Sequence, residues 1–99
     1  MSNKTINSFS NPKIVNKKAI KYLGSNVKIK LSDKPLKKYM VLNPSTSKYV
    51  HFGAMGYEDF TKHNDVNRRK NYLIRSENIG GKWKDDKYSP NNLSRHILW

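Results

Sequence analysis

Two stretches rich in β-branched and aromatic side chains flank a run of turn formers, and together they predict a β-hairpin. The strands are residues 37–43 and 48–53, and the turn is residues 44–47. Asn43 followed by Pro44 is suited to opening a type I turn. A register that pairs Asn43 with Lys48 gives the hairpin two largely apolar faces. One face carries Tyr39, Val41, Val50 and Phe52, and the other carries Met40, Leu42, Tyr49 and His51. We therefore expect helices to cover at least one face.

A further strand is predicted just before the hairpin, because apolar and charged residues alternate strictly over residues 27–31. Val27, Ile29 and Leu31 share one face, and Lys28 and Lys30 share the other. Residues 32–35 carry Ser, Asp, Lys and Pro, which is typical of a turn. The alternation therefore adds one half-buried strand to the predicted sheet.

The first 18 residues are predicted to form a flexible basic and polar arm. Their clearly apolar side chains, Met1 aside, are Ile6, Phe9, Ile14 and Val15. So little apolar surface does not offset the entropy lost on ordering. Residues 19–23 predict a short helical turn that Gly24 ends. One small domain is then expected over residues 19–99.

Two helices are predicted after the hairpin, and a short turn over residues 59–62 precedes them. The first helix has Asn64 as its N-cap and Asp65 in its first turn, and it ends near residue 78, before the Gly80–Gly81 pair. At about 100° per residue its apolar residues Val66, Tyr72, Leu73 and Ile74 spread over one broad side, and its polar residues Arg68, Asn71 and Arg75 fall on the other.

The second helix begins with Ser89 as N-cap and Pro90 at the first helical position, and continues to about Leu98. Its apolar residues Leu93, Ile97 and Trp99 are placed to pack on the sheet. The predicted fold class is therefore α+β. It has a small antiparallel sheet built on the β-hairpin, two C-terminal helices packed on that sheet, and a basic N-terminal arm.

The charge of the chain indicates a function in addition to the fold. The 99 residues carry 20 Lys and Arg against 7 Asp and Glu, a net charge of +13. An excess this large repels itself in a compact fold and indicates a polyanionic partner. Residues 1–50 hold eleven of the Lys residues and a single acid, Asp33. Lys binds phosphate as a point charge without reading bases, which favours contact independent of sequence.

Several classes of protein are disfavoured by the composition. The chain has no Cys, which excludes disulfides and thiolate metal sites. It has no apolar run long enough to span a membrane, and its first ten residues do not have the pattern of a signal peptide. The sequence also lacks a nucleophile elbow and a phosphate-cradling glycine loop. We expect no enzyme activity and no cofactor.

One region of the sequence suggests a metal site, because it contains His51 and His63 together with Asp59 and Asp65. Their spacing matches no metal-ligand motif, since zinc and magnesium sites need three or more converging ligands. The simpler interpretation is that Asp59 and Asp65 cap turns and that His63 forms a local hydrogen bond. We therefore expect no metal, and a metal-dependent nuclease remains a minority alternative.

The eleven aromatic residues allow two interpretations. Rings outside the core could stack on the bases of single strands. In so small a domain, most rings are needed in the core. The sequence therefore favours core packing for most of the rings.

The last two-thirds of the chain resemble a family of uncharacterised small basic proteins encoded by nucleocytoplasmic large DNA viruses, with relatives in phages. The resemblance covers residues 37–99. In order, it rests on Lys37-Lys-Tyr-Met-Val, Val50-His-Phe-Gly53, Gly56-Tyr-Glu-Asp-Phe-Thr-Lys-His63, Asn64-Asp-Val-Asn-Arg-Arg69, Tyr72-Leu-Ile-Arg75 and Ile97-Leu-Trp99. It implies a viral origin and a small α+β domain, and it implies no activity because none is established for the family. Many relatives carry a His after the arginine that matches Arg75, whereas this chain has Ser76.

We therefore expect a non-enzymatic, sequence-independent DNA-binding protein that helps to package a viral genome. The alternative is a minor capsid or cement protein whose arm binds acidic protein surfaces. The partner is accordingly duplex DNA or an acidic capsid protein, and the location is the virion, with the host cytoplasm or viral factory during infection. The predicted phosphate-binding residues are Lys17, Lys18, Lys21, Lys28, Lys30, Lys37, Lys38, Arg68 and Arg75.

Overall fold

The computed structural model describes residues 6–99 and contains a three-stranded antiparallel sheet with helices before and after it. Helix α1 spans Pro12–Leu23, and strands β1, β2 and β3 span Ile29–Leu31, Lys37–Asn43 and Lys48–Ala54. Helices α2, α3 and α4 span Phe60–His63, Val66–Glu77 and Pro90–Leu93, and α4 continues as a π-helical segment, Ser94–Leu98. Short 3-10 turns lie at Ile6–Ser8 and Trp83–Asp85. The predicted α+β class is confirmed.

The hairpin forms in the predicted register. Asn43 pairs with Lys48, and Tyr39 pairs with Phe52. The Asn43 side chain accepts a hydrogen bond from the Ser45 N–H at 3.0 Å, and its backbone oxygen accepts one from the Ser47 N–H at 2.8 Å. These bonds close the turn locally, which is why the turn residues predicted it correctly.

The core lies on one face of this sheet. Tyr39, Val41 and Phe52 from the sheet meet α1 and the C-terminal helix there. The buried apolar residues are Val15, Ala19, Tyr39, Val41, Phe52, Leu93, Ile97 and Leu98. The face that carries Met40, Leu42 and His51 is only half-buried, so the helices cover one face.

Strand β1 is shorter than predicted and lies at the edge of the sheet, paired with β2 alone. Val27 and Ile29 pack against the core as expected. Leu31 is 53% exposed, because it lines an open groove between α1 and β1 and does not reach the core. Lys28 and Lys30 are exposed.

The prediction of a separate arm is wrong for residues 6–18, and residues 1–5 lie outside the described part of the chain. Helix α1 begins at Pro12, with the Asn11 side chain capping the N–H groups of the next residues. Val15 is 1% exposed and Ala19 is fully buried. These two residues are one helical turn apart but lie on opposite sides of the predicted boundary between the arm and the domain. Neither the arm nor residues 19–23 therefore showed the whole apolar stripe of the helix.

Helix α3 differs in its ends and in its packing from the prediction. Asp65 is the N-cap, and Asn64 instead ends α2 in a left-handed conformation with φ 55°. The helix stops at Glu77, before the glycine pair. Val66 and Ile74 are 68% and 53% exposed, whereas Tyr72 and Leu73 are half-buried, so the predicted apolar side is only partly buried.

The start of the C-terminal helix is as predicted, with Ser89 as N-cap and Pro90 in the first turn. Leu93 and Ile97 are fully buried, whereas Trp99 is half-buried at the edge of the core. Within residues 6–99, no helix is long and apolar enough to cross a membrane.

Candidate nucleic-acid interface

A cleft of about 560 Å³ brings together three of the nine predicted phosphate-binding residues. Lys37 comes from β2, and Arg68 and Arg75 come from α3. The floor of the cleft includes Phe52 and Leu98 from the core. Because α3 stands at the periphery of the fold, space remains between it and the sheet.

One stripe of α3 supplies most of the polar lining of this cleft. Asn71 and Tyr72 each lie three or four residues from Arg68 and from Arg75, and all four residues line the cleft. The prediction that Arg68, Asn71 and Arg75 share one side of the helix is confirmed. The sequence did not predict that Lys37 would face them.

The cleft is electropositive. The side chains of Lys37, Arg68 and Arg75 form no hydrogen bond or ion pair with other described residues. Glu58 is the single acid that lines the cleft within residues 6–99. The positive charge also affects the neighbouring His63, because burial of this side chain and the Arg68 charge both lower its pKa. Three basic side chains without a partner against one acidic side chain leave the cleft suited to an anion.

Aromatic rings form one wall of the cleft. Tyr72 and Trp99 stack with their ring centroids 4.3 Å apart and their planes 10° apart. Arg69 holds the Trp99 backbone by donating from Nε to its carbonyl oxygen at 2.7 Å. Burial raises the pKa of Tyr72, and the nearby Arg75 charge opposes that shift. Tyr57 also lines the cleft and is 73% exposed, so its ring is open to a ligand.

The prediction that Lys38 contacts phosphate is wrong, because this lysine is buried in an ion pair. Its Nζ lies 3.0 Å from Asp59 Oδ2, and the two side chains are 2% and 1% exposed. It also donates to the Phe9 backbone oxygen at 3.3 Å. Burial lowers the pKa of Lys38, against the raising effect of Asp59.

The ion pair belongs to a buried polar network that joins three parts of the chain. The Asp59 carboxylate also accepts from the backbone N–H and the hydroxyl of Thr61. The Thr61 and Ser10 hydroxyls are 3.1 Å apart, and the Tyr39 hydroxyl donates to Ser10 at 2.8 Å. Burial raises the pKa of Tyr39 to about 12. Since each polar side chain of this network has a partner within it, the network fixes the N-terminal segment and α2 to the sheet.

The remaining predicted lysines lie on two other surfaces. Lys17 and Lys21 are exposed on α1, and Lys28 and Lys30 are exposed at β1. Lys30 Nζ lies 4.8 Å from the centre of the Tyr49 ring, a cation–π contact.

Lys18 is only half-buried, and its ammonium lies 6.0 Å from the centre of the Phe60 ring. Burial and the neighbouring Arg69 charge lower its pKa. Lys18 is therefore less available to a partner than Lys17 and Lys21.

The predicted capping by Asp59 and Asp65 and the predicted local hydrogen bond of His63 are confirmed, and Asp59 in addition pairs with Lys38. Asp59 caps α2, and Asp65 caps α3. His63 Nδ1 accepts from the Asp65 N–H at 2.9 Å, and His51 Nδ1 lies 2.6 Å from the Ser32 hydroxyl. Within the described chain, no three His, Asp or Glu side chains are grouped to hold a metal ion. The minority interpretation as a nuclease gains no support from this region.

Comparison with known proteins places the chain in a family. A profile of one family matches residues 27–76. The chain belongs to a family of unknown function, DUF5754. No curated protein and no solved structure matches the chain.

The DUF5754 match covers all three strands and most of α3. It contains Lys37, Arg68 and Arg75, and also both partners of the Lys38–Asp59 pair. Helix α1 and Trp99 lie outside the matched residues.

Proposed function

We propose that this DUF5754 protein is a sequence-independent nucleic-acid-binding protein that acts by binding and not by catalysis. The single observation that carries the proposal is that most of its basic side chains are exposed and have no acidic partner. Several of them lie on α1, at β1 and around the cleft. The regularly spaced phosphates of a nucleic acid can pair with these basic side chains without a specific contact to any base.

The internal ion pairs support this proposal. Within residues 6–99, the Lys and Arg side chains that pair with a carboxylate are Lys38, Lys84 and Arg95. Lys84 and Arg95 share a single partner, Glu77. Internal pairing therefore leaves most of the basic side chains without a carboxylate partner, and the net charge of +13 remains to attract a polyanion.

The resemblance to viral proteins implies that the nucleic acid is the genome of a large DNA virus. The protein would then be found in the host cytoplasm or viral factory during infection and in the virion afterwards. Packaging requires contact with any sequence, which suits a surface dominated by Lys. A minor capsid or cement role is the competing proposal. It differs in its partner, which would be an acidic protein at a defined stoichiometry.

The test is a fluorescence anisotropy titration with two labelled DNA duplexes of unrelated sequence. We expect equal affinities for the two duplexes. If about six phosphates are neutralised, log K should fall with log salt at a slope of about −5. Lys17→Gln and Lys28→Gln should each reduce that slope by about one.

Absence of binding at about 50 mM salt, where such contacts are strong, would refute the proposal. A preference for one duplex that survives high salt would contradict sequence independence. Capture of an acidic capsid protein at a fixed ratio, with no affinity for DNA, would favour the competing role.

A further inference from the structure

We propose that the cleft between α3 and the sheet binds one unpaired nucleotide of a nucleic-acid strand, with its phosphates on Lys37, Arg68 and Arg75 and its base against the aromatic wall. This inference rests on the proposed function and deepens it. It adds a built site for single strands to the exposed surfaces that attract any polyanion.

The size of the cleft indicates a ligand smaller than a duplex. Its volume of about 560 Å³ lies in the range of pockets that hold small molecules and cofactors. A double helix can lie only across the rim of such a cavity. An unpaired nucleotide can enter it, as flipped or single-stranded bases enter protein pockets.

The arrangement of the cations matches a strand that runs along α3. Arg68 and Arg75 are seven residues apart, which separates them by about 10 Å along the helix axis. They can therefore reach the phosphates on the two sides of one nucleotide. Lys37 approaches from the sheet, opposite the helix. No described side chain forms a hydrogen bond or an ion pair with these three cations, so they are available for charge-assisted hydrogen bonds.

The groups between the two arginines suit a base. Asn71 and Tyr72 lie between Arg68 and Arg75 on the same stripe, and Tyr72 is braced by its stack on Trp99. Tyr57 is 73% exposed and makes no ring contact with another described side chain. Stacking on such rings accepts any base, because every base has a π face.

The experiment measures the affinity of purified full-length protein for fluorescein-labelled dT12, dA12 and a 12-bp duplex by anisotropy. Tyr57→Ala removes the open ring, and Arg75→Gln removes one cation of the cleft. The matched control is Lys70→Gln, which changes the charge equally on the same helix but outside the cleft lining. Circular dichroism melting checks that each variant is folded.

We expect Tyr57→Ala to weaken dT12 and dA12 binding by about tenfold while leaving duplex affinity unchanged. Arg75→Gln should weaken dT12 binding several times more than Lys70→Gln does, and the two should affect the duplex equally. Competition by dTMP that inorganic phosphate at the same concentration does not reproduce would show that the base contributes. Full displacement of dT12 by stoichiometric dTMP would assign the site to free nucleotides instead of a strand.

Two further results would overturn the inference while the proposed function stands. One is unchanged dT12 affinity in Tyr57→Ala with duplex binding intact. The other is an equal loss of dT12 affinity in Arg75→Gln and Lys70→Gln. Failure of the unaltered protein to bind any of the three nucleic acids would instead overturn the proposed function, and this inference with it.

Discussion

Replacing Lys38 by Met tests whether this lysine stabilises the fold. Its neighbour Lys37 has the same charge but an exposed side chain, and so provides the comparison. Met keeps most of the methylene packing of Lys38 but removes the charge that faces Asp59. The carboxylate of Asp59 is 1% exposed and would keep only its contacts with Thr61. The variant therefore leaves a buried charge without its counter-charge.

The size of the effect follows from the geometry of this pair. At an effective dielectric constant of about 20, two charges 3.0 Å apart attract by about 5 kcal/mol. Breaking a buried pair by removing one partner costs about 3–5 kcal/mol. A chain of 99 residues has a total stability of about 5–15 kcal/mol, so the loss is a large share of it. The melting temperature of Lys38→Met should fall by about 12 °C or more.

The assay is urea unfolding followed by circular dichroism at neutral pH, with Lys37→Met as the matched control. Lys37 is exposed and has no partner within the described chain, so Lys37→Met should change stability by less than about 0.5 kcal/mol. The double variant Lys38→Met with Asp59→Asn should recover most of the loss, because it removes both charges and an Asn still caps α2.

Binding measurements add a second readout. At a temperature where both variants are folded, Lys37→Met should weaken nucleic-acid binding, and Lys38→Met should not. A free energy of unfolding for Lys38→Met within about 1 kcal/mol of that for Lys37→Met would refute the reasoning on the buried pair. Weaker binding by a folded Lys38→Met protein would return Lys38 to the set of phosphate contacts.

Two further predictions concern the segment that the network holds. Deleting residues 1–18 removes Val15 from the core and Ser10 from the network, so we expect the truncated protein to show no cooperative thermal transition. A melting temperature like that of the full chain would instead support the interpretation of residues 1–18 as an arm. Tyr39→Phe loses the bond to Ser10 and should be about 1 kcal/mol less stable at pH 8. The pKa of Tyr39 is raised in the folded state, from an ordinary 10.0 to about 12, so its stabilising contribution is lost as pH rises from 10 through 12. The stability gap between the two proteins, measured in urea, should narrow from pH 8 to pH 11, and a constant gap would contradict this.

The hairpin and the start of the C-terminal helix could be predicted because neighbours in sequence decide them. Asn43 closes its own turn, and the Ser89 hydroxyl accepts from the N–H of Asn92, three residues further on. The length of the turn then fixes the register of the hairpin, since Asn43 and Lys48 flank it as a pair. Fold class follows from these elements and needs no knowledge of distant contacts.

The N-terminal helix could not be predicted because its burial depends on the surface that it meets. Val15 and Ala19 offer a narrow apolar stripe that stabilises little alone. The stripe becomes part of the core only when the sheet and the C-terminal helix close over it.

The candidate site was predicted in part. The spacing of Arg68 and Arg75 placed them on one side of a helix, because seven residues make nearly two helical turns. Nothing local indicated that Lys37 would face them across a cleft, or that Tyr57 and Trp99 would line it.

The sequence by itself determined the charge of this protein, the β-hairpin and its register, and the polar residues of α3 that share a helix face. The tertiary structure alone decided which basic residues are free to act. Lys37 and Lys38 are identical neighbours, yet one lines the cleft and the other is buried against Asp59, 21 residues away, and the backbone of Phe9, 29 residues away. The physical reason is that local preferences involve residues within a turn or two of each other. Burial and charge pairing depend on groups that only the folded chain brings together.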